Sequence, residues 1–304
     1  MARDRIALVL EGGGYRGIFT AGVLDVLMER GFTDEFSSVW GTSAGAMNAV
    51  SFKSRQIGRT MRIMLAFRDD RRFMSFMSLV RTGNLTGGDF VYDEVQNKLD
   101  PCDNYTFNEN PLEMYAVASD VVFGTAAYLP VRTVPEDVPC VRASASLPLV
   151  SQMVEIDGHR YLDGGTTDSI PFEAAMGLES APAELSEGYV PATRALVIAT
   201  QDRSYLKDQS VQNLAIRSHR YDDYPYFIEA LRTRHIRYNA QRELLWQLER
   251  SGQAFVFAPD KPVEVSTAEH NGWPLLDLYL QGRRQAEARL AELDAWLHPE
   301  NEAE

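Results

Sequence analysis

Residues 6–27, IALVLEGGGYRGIFTAGVLDVL, admit few folds. Ile6–Leu10 is an unbroken apolar run, the signature of a strand buried on both faces. It enters a glycine loop, after which Ile18, Phe19, Gly22, Val23, Val26 and Leu27 recur at helical spacing until Arg30-Gly31 stops the pattern. Strand, glycine turn and helix in direct succession open a parallel βα unit. A second unit follows: a short strand over 36–40 runs into GTSAGAMNAVSF, where small residues start a helix. Residues 114–122 and 195–200 read as further buried strands, and 58–80 as a Met-rich amphipathic helix or helix pair. The order predicts an α/β chain, a three-layer α/β/α sandwich with a largely parallel sheet. Residues 180–193 form a polar, proline-bearing connector. Beyond Leu206 the pattern is mainly helical, interrupted by one strand-like piece, QAFVFAPDKPVEV.

The chain has 304 residues, 45% of them hydrophobic, enough for one large domain or two small ones. Cys102 and Cys140 match no disulfide framework and no metal spacing, which favours a reducing compartment. The apolar run near the N-terminus is too short for a signal peptide, and no run reaches the length of a membrane helix, so a cytoplasmic location is expected. A net charge of −13 argues against nucleic acid as a partner. The charge is unevenly spread: residues 53–81 carry eight basic side chains against Asp69 and Asp70, a local +6.

Gly12, Gly14 and Gly17 satisfy the G-x-G-x-x-G spacing of dinucleotide loops. Such loops need an acidic residue at the end of a second strand, about twenty residues on, to hold a ribose. Asp34 and Glu35 lie near that distance but precede the apolar stretch. Consecutive N–H groups at a helix start bind any compact anion, including the oxyanion of an acyl transfer. Gly41–Gly45, GTSAG, is a G-x-S-x-G placed between strand and helix, the setting in which a serine is exposed on a sharp turn. That nucleophile needs an oxyanion-binding partner, and Gly12, Gly13 and Gly14 are the expected donors. None of the five histidines lies in a motif-like setting. His159, in the turn-like IDGHRYLD, is the one nearest a motif.

A third element, YLDGG over 161–165, is an aspartate ending a short apolar run, followed by Gly164 and Gly165. Together, EGGGYRG, GTSAG and LDGG, with RASASLPLV (142–150) between the last two, resemble the patatin-like phospholipase family from about Leu8 to about Phe172. RHIRYN and PLLDLYLQGRRQAE in the C-terminal third are similar to the tail of short bacterial members known only as predicted esterases. The resemblance implies a patatin-like catalytic domain over 1–180, and an extension over 181–304 that completes the sheet and adds a helical cap. It also implies a Ser43–Asp163 dyad that hydrolyses acyl esters of lipids, phospholipid or lysophospholipid, without cofactor or metal. Arg16, Gly17, Gly41, Gly45, Gly164 and Gly165 then support the motifs, with Arg16 steadying the loop or attracting a lipid phosphate.

A carboxylate of ordinary pKa is a weak base for a serine in water, so the dyad requires a dry site. Met61, Met64, Phe67, Phe73, Met74, Phe76 and Met77 offer soft apolar surface for an acyl pocket or a transient contact with a membrane surface, against the plainer role of a helix packed on the core. Two rival functions stand beside the lipid hydrolase: an esterase or thioesterase for small soluble acyl donors, and a lipid-binding regulator of low turnover.

Overall fold

The computed structural model of the chain describes residues 4–70, 90–181, 188–266 and 269–299. Strand β1 (Ile6–Leu10) is buried along its whole length and pairs in parallel with β2 (Ser38–Thr42) on one edge and β7 (Arg194–Ile198) on the other. Between β1 and β2 runs α1 (Gly17–Glu29), and β2 leads into α2 (Ala44–Lys53). The apolar stretch expected as a strand over 36–40 pairs two residues later. Ser37 donates main-chain N–H and hydroxyl to the Ile6 carbonyl, while Phe36 packs edge-on against Phe52, and the ladder begins at Ser38.

Next along the chain come α3 (Arg59–Phe67), a π-type helical stretch (Phe90–Leu99) and α4 (Asn104–Glu109). Strands β3 (Glu113–Asp120) and β4 (Ala126–Pro130) precede α5 (Val138–Ser144), and the hairpin of β5 (Val154–Ile156) and β6 (His159–Asp163) follows. Asp157 and Gly158 turn this hairpin, both at positive φ as a two-residue turn matched to strand twist requires. A short α6 (Phe172–Ala175) precedes β7, and then come α7 (Ser210–Arg217) and α8 (Pro225–Arg250). Strand β8 (Ala254–Phe257), α9 (Gly272–Ala288) and α10 (Leu290–Leu297) complete the chain. The strand-like piece expected over 253–265 is strand only at its start, since Pro259 and Pro262 cannot donate to a ladder.

The strand order is β5-β6-β3-β2-β1-β7-β8, with β4 on the remaining edge of β3. The β1, β2, β3, β7 and β8 pairings are parallel, and β4, β5 and β6 join antiparallel. Strands β7 and β8, from the C-terminal part, thus belong to the same sheet as β1. One face of the sheet is covered by α1, α2 and α9, the other by α6 and α8, which makes the expected three layers. Helix α9 lies backbone to backbone on α1: a Cβ on Gly22 would sit 2.2 Å from the Tyr279 carbonyl oxygen, and one on Gly282 2.3 Å from that of Phe19. The Tyr279 hydroxyl seals the contact by donating to buried Asp25 at 2.8 Å.

Of the Met-rich segment, Met61, Met64 and Phe67 lie on α3, while Phe73, Met74, Phe76 and Met77 fall outside the described residues. Among the described residues, its Arg59 and Arg62 are not simply solvated. Arg62 grips Asp100 with two nitrogens at 2.8 and 3.0 Å, and buried Arg59 bonds Gln96, Ser51 and the Asp100 carbonyl. Among the described residues no helix is long and apolar enough to cross a membrane, and no group of His, Cys, Asp and Glu is arranged to hold a metal ion.

Candidate active site

Ser43 stands at the junction of β2 and α2 with φ 56° and ψ −120°. A residue bearing a Cβ is held there at a cost of about 1–3 kcal/mol and needs surroundings that over-determine it. The flanking glycines supply room. A Cβ on Gly45 would lie 2.2 Å from the Leu10 carbonyl oxygen, and one on Gly41 2.5 Å from the Ala46 nitrogen. Ser144 supplies polar restraint: its hydroxyl accepts from the Ser43 N–H at 2.9 Å and donates to the Val117 carbonyl at 2.6 Å. Thr42 fixes the preceding residue by donating its hydroxyl to the Asp168 carbonyl at 3.0 Å. Ser144 lies in RASASLPLV, so the sequence pointed to its segment without indicating its bonds.

Strand β3 sets the distance between Ser43 and Asp163. Its residues 113–117 pair with β2, residues 118–120 pair with β6, and β4 pairs with 115–119. Because β4 overlaps both partners, β2 and β6 must share the opposite edge. Thr42 stands opposite Val117 and Asp163 opposite Ala118, so Asp163 begins where β2 ends. Asp163 is held by its own N–H on the Ser146 carbonyl at 2.7 Å and by its carbonyl accepting from the Ser119 hydroxyl at 2.8 Å. Gly164 follows so tightly that a Cβ would lie 2.1 Å from the Val117 carbonyl oxygen.

The Asp163 side chain is 3% exposed and Ser43 is 9% exposed. Oδ1 of Asp163 accepts from the Gly165 N–H at 2.8 Å. Burial raises the Asp163 pKa above its ordinary value; the Ser43 hydroxyl, the Gly165 N–H and the charges of Arg234 and Lys207 oppose the rise. The Ser43 hydroxyl is therefore close enough to stabilise the anion. Oδ2 nevertheless has no donor at full hydrogen-bonding geometry, so the pair is adjacent and unclosed.

The glycine loop crosses above this pair. Gly12 N–H donates to the Ser169 carbonyl at 3.3 Å, so of the three expected donors it is the one with an acceptor within the protein. What Gly12 provides is proximity: a Cβ would meet the Thr42 carbonyl oxygen at 3.0 Å and the Ser43 Cβ at 3.3 Å. No described residue accepts from the N–H of Gly13 or Gly14. Gly14 sits at φ 56° at the start of the turn that leads into α1, a conformation that favours glycine. Gly17 closes the loop onto α2, where a Cβ would lie 2.9 Å from that of Ala44. Arg16 is half-buried beside the loop. Buried Glu11, unremarked in the sequence, anchors the loop's start by accepting from the Thr200 N–H at 2.6 Å and the Tyr238 hydroxyl at 2.5 Å.

Asp34 and Glu35 lie before β2, at the opposite end of the sheet from the loop that follows β1. A five-residue strand separates them, roughly 16 Å, so neither reaches a ribose held at the loop. His159 opens β6, where its Nδ1 meets Asp120 Oδ2 at 2.9 Å, four residues of extended chain from Asp163. Beside Ser43 opens an apolar cavity of about 110 Å³. Met47 of α2, Ile63 and Met64 of α3, Val95, and Val141 and Ala145 around α5 are among the residues that line it. Helix α3 thus serves both readings of the Met-rich segment, with Ile63 and Met64 packed into the core and facing the cavity.

Comparison with known proteins places the chain among relatives. The Patatin-like phospholipase family matches residues 8–176, and a domain of unknown function, DUF6363, matches residues 224–298. The chain is 36% identical over 186 residues to the uncharacterized protein YjjU of Escherichia coli (strain K12), covering 56% of this chain and 48% of that protein. It is 26% identical over 187 residues to the uncharacterized NTE family protein Mb1092c of Mycobacterium bovis, covering 58% and 47%. The chain spans about half the length of the curated relatives it matches. Among solved structures it is similar to VipD from Legionella pneumophila, with a TM-score of 0.48 at 12% identity over 95% of this chain and 67% of that one. With more than half of its residues inside the first match, the chain belongs to the patatin-like phospholipase family.

Proposed function

We propose that this protein hydrolyses acyl esters of lipids, with Ser43 as nucleophile and Asp163 as its base. The observation that carries the reading is the adjacency of a serine held at positive φ and a buried aspartate whose second oxygen has no other partner. Ser43 Oγ attacks the ester carbonyl and its proton passes to Asp163 Oδ2. The N–H groups of Gly13 and Gly14 receive the oxyanion. Asp163 then protonates the departing alcohol, and a water activated by the same carboxylate releases the acyl group from Ser43. Burial helps twice. It raises the basicity of Asp163 towards the task, and it strengthens the main-chain donors acting on the oxyanion.

The cavity beside Ser43 is lined mainly by apolar side chains, suited to an aliphatic acyl chain, which favours lipid esters over small polar acyl donors. Labelling with a fluorophosphonate probe tests the nucleophile. The wild type is expected to react at one site, and Ser43→Ala to lose labelling together with at least about 10³-fold of its ester hydrolysis. Labelling that persists in Ser43→Ala removes Ser43 from the role. Hydrolysis of acetyl and long-chain esters at equal rates removes the lipid assignment.

A further inference from the structure

The C-terminal helix α8 reaches the same end of the sheet as Ser43, but from the face opposite the acyl cavity. Tyr238 ties it to Glu11 at the start of the glycine loop. One turn earlier, Arg234 lies over the glycine pair that follows Asp163, since a Cβ on Gly165 would be 3.1 Å from Arg234 Nη2. Its Nη1 is within 3.1 Å of the Gln212 side-chain oxygen in the amide orientation that satisfies both groups. Its Nε is enclosed and has no acceptor. The Lys207 ammonium stands 4.1 Å from the Tyr238 ring centre and 5.8 Å from that of Tyr205.

No described carboxylate comes within 4.0 Å of Arg234 or Lys207. Both residues are half-buried, and the opposing charges within reach are Asp163, which acts on both, and Glu11, which acts on Lys207. Arg234, Arg16 and Arg242 act on Lys207 on one side, and Glu11 and the more distant Asp163 on the other. Burial with this cationic surplus pushes its pKa down to about 7. Bringing cations together in a partly dry place is unfavourable unless an anion joins them. Neither residue falls within the patatin-like segment: Lys207 lies between the two matched segments and Arg234 within the second.

We infer that Lys207 and Arg234 form a subsite for the phosphate group of the ester substrate, on the far side of Ser43 and Asp163 from the acyl cavity. A phosphate offers separate oxygens to the ammonium and to the guanidinium, and its charge offsets the excess of Lys207, Arg234, Arg16 and Arg242 over Glu11 and Asp163. The C-terminal region thereby selects the polar end of a substrate whose acyl end is taken by α2, α3 and α5. The substrate named here rests on the hydrolase reading, whereas the anion site rests on the geometry of the two cations.

The test compares two esters of one acyl chain, an acylglycerol phosphate and the corresponding monoacylglycerol, in the wild type, Lys207→Gln and Lys207→Arg. Lys207→Gln is expected to lower the ratio of kcat/KM for the phosphate-bearing over the neutral ester about tenfold, and Lys207→Arg to restore most of it. Calorimetric titration of glycerol phosphate into Ser43→Ala, with and without Lys207→Gln, is expected to show weakening by a similar factor. An unchanged ratio, or equal loss on both esters, overturns the inference. Inorganic phosphate binding that depends on Lys207, without wild-type preference for the phosphate-bearing ester, overturns it as a substrate subsite. If the wild type turns over neither ester, the hydrolase reading has failed and the titration alone decides. Binding weakened by Lys207→Gln upholds the anion site, and equal binding removes it.

Discussion

Asp163 occupies the edge of β3 one register position beyond Thr42, so that the side chain at 163 meets the residue that leaves β2, Ser43. Two strands from distant parts of the chain share one edge of a third, the first parallel and the second antiparallel to it. The C-terminal end of β2 therefore faces the C-terminal end of β6. This placement needs no bond between Ser43 and Asp163 to hold it, and it leaves Oδ2 of the carboxylate uncommitted.

The pH dependence of the reaction should report Asp163. Burial raises its pKa, and the base must be ionised to accept the serine proton. The acid limb of kcat/KM is therefore expected above the ordinary carboxylate value of 3.8, with rate lost as pH falls through the raised pKa. Asp163→Asn keeps an oxygen for the Gly165 N–H but cannot take the proton, and about 10²–10⁴-fold of kcat/KM is expected to disappear with the fold intact. Circular dichroism and a pH–rate profile check this. A variant that retains the wild-type rate and acid limb would exclude Asp163 as the base.

Ser144 restrains the elbow without standing in line for the chemistry. Ser144→Ala leaves the Ser43 N–H and one Val117 acceptor site unserved in a buried place, and a loss of about 1–3 kcal/mol in stability is expected. The Ser43 turn then relaxes from its strained setting, so kcat is expected to fall further than KM changes. Thermal melting together with steady-state kinetics separates the two effects. Wild-type stability and kcat in this variant would show that the elbow holds itself.

Ala145 lines the cavity just after the end of α5. Ala145→Phe is expected to fill part of the acyl space and to lower the long-chain to short-chain ratio of kcat/KM by about 10-fold or more, since a pocket discriminates by roughly 1–3 kcal/mol per methylene. A series of p-nitrophenyl esters from acetyl to palmitoyl reads this ratio. A uniform change along the series would mean that the chain lies elsewhere.

Much of the architecture is legible locally. Ile6–Leu10 carries burial on both faces in its own composition, and the positions that follow Gly17 carry helical periodicity, so β1, α1 and α2 need no tertiary information. Ser43 is legible because its neighbours must be small for the turn to close. Strands β4 and β5 are not, because AAYLP and VEI gain their strand character from pairing with β3 and β6. Ser144, Glu11, Lys207 and Arg234 have no local signature either. Their roles come from partners such as Ser43, Tyr238, Tyr205 and Gly165, most of them far away in the sequence, and spacing rules do not extend that far. The acceptor that Gly12 finds is of the same kind, since it is the Ser169 carbonyl 157 residues on.

Asp168 links the site to stability. It is fully buried, its Oδ1 accepts from Gln241 Nε2 at 2.8 Å and its Oδ2 from the Tyr128 hydroxyl at 3.1 Å, while its carbonyl holds Thr42. Burial pushes its pKa up to about 6; the Gln241 bond lowers it, Glu173 raises it, and the Tyr128 and Ile170 bonds lower it further. A folded-state pKa above the unfolded one means that the folded protein binds the proton more tightly. The resulting stabilisation is complete below the unfolded value of 3.8 and is lost as pH rises through about 6. The gap between those two values is equivalent to about 3 kcal/mol. In Asp168→Asn the amide still accepts from Gln241 and can donate to the Tyr128 oxygen, and it does not titrate. Urea midpoints between pH 4 and 7 are therefore expected to fall more steeply in the wild type than in the variant, by an amount equivalent to about 3 kcal/mol. Parallel curves would show that Asp168 is ionised in the folded protein over this whole range, with Gln241, Tyr128 and the Ile170 N–H compensating its burial in full.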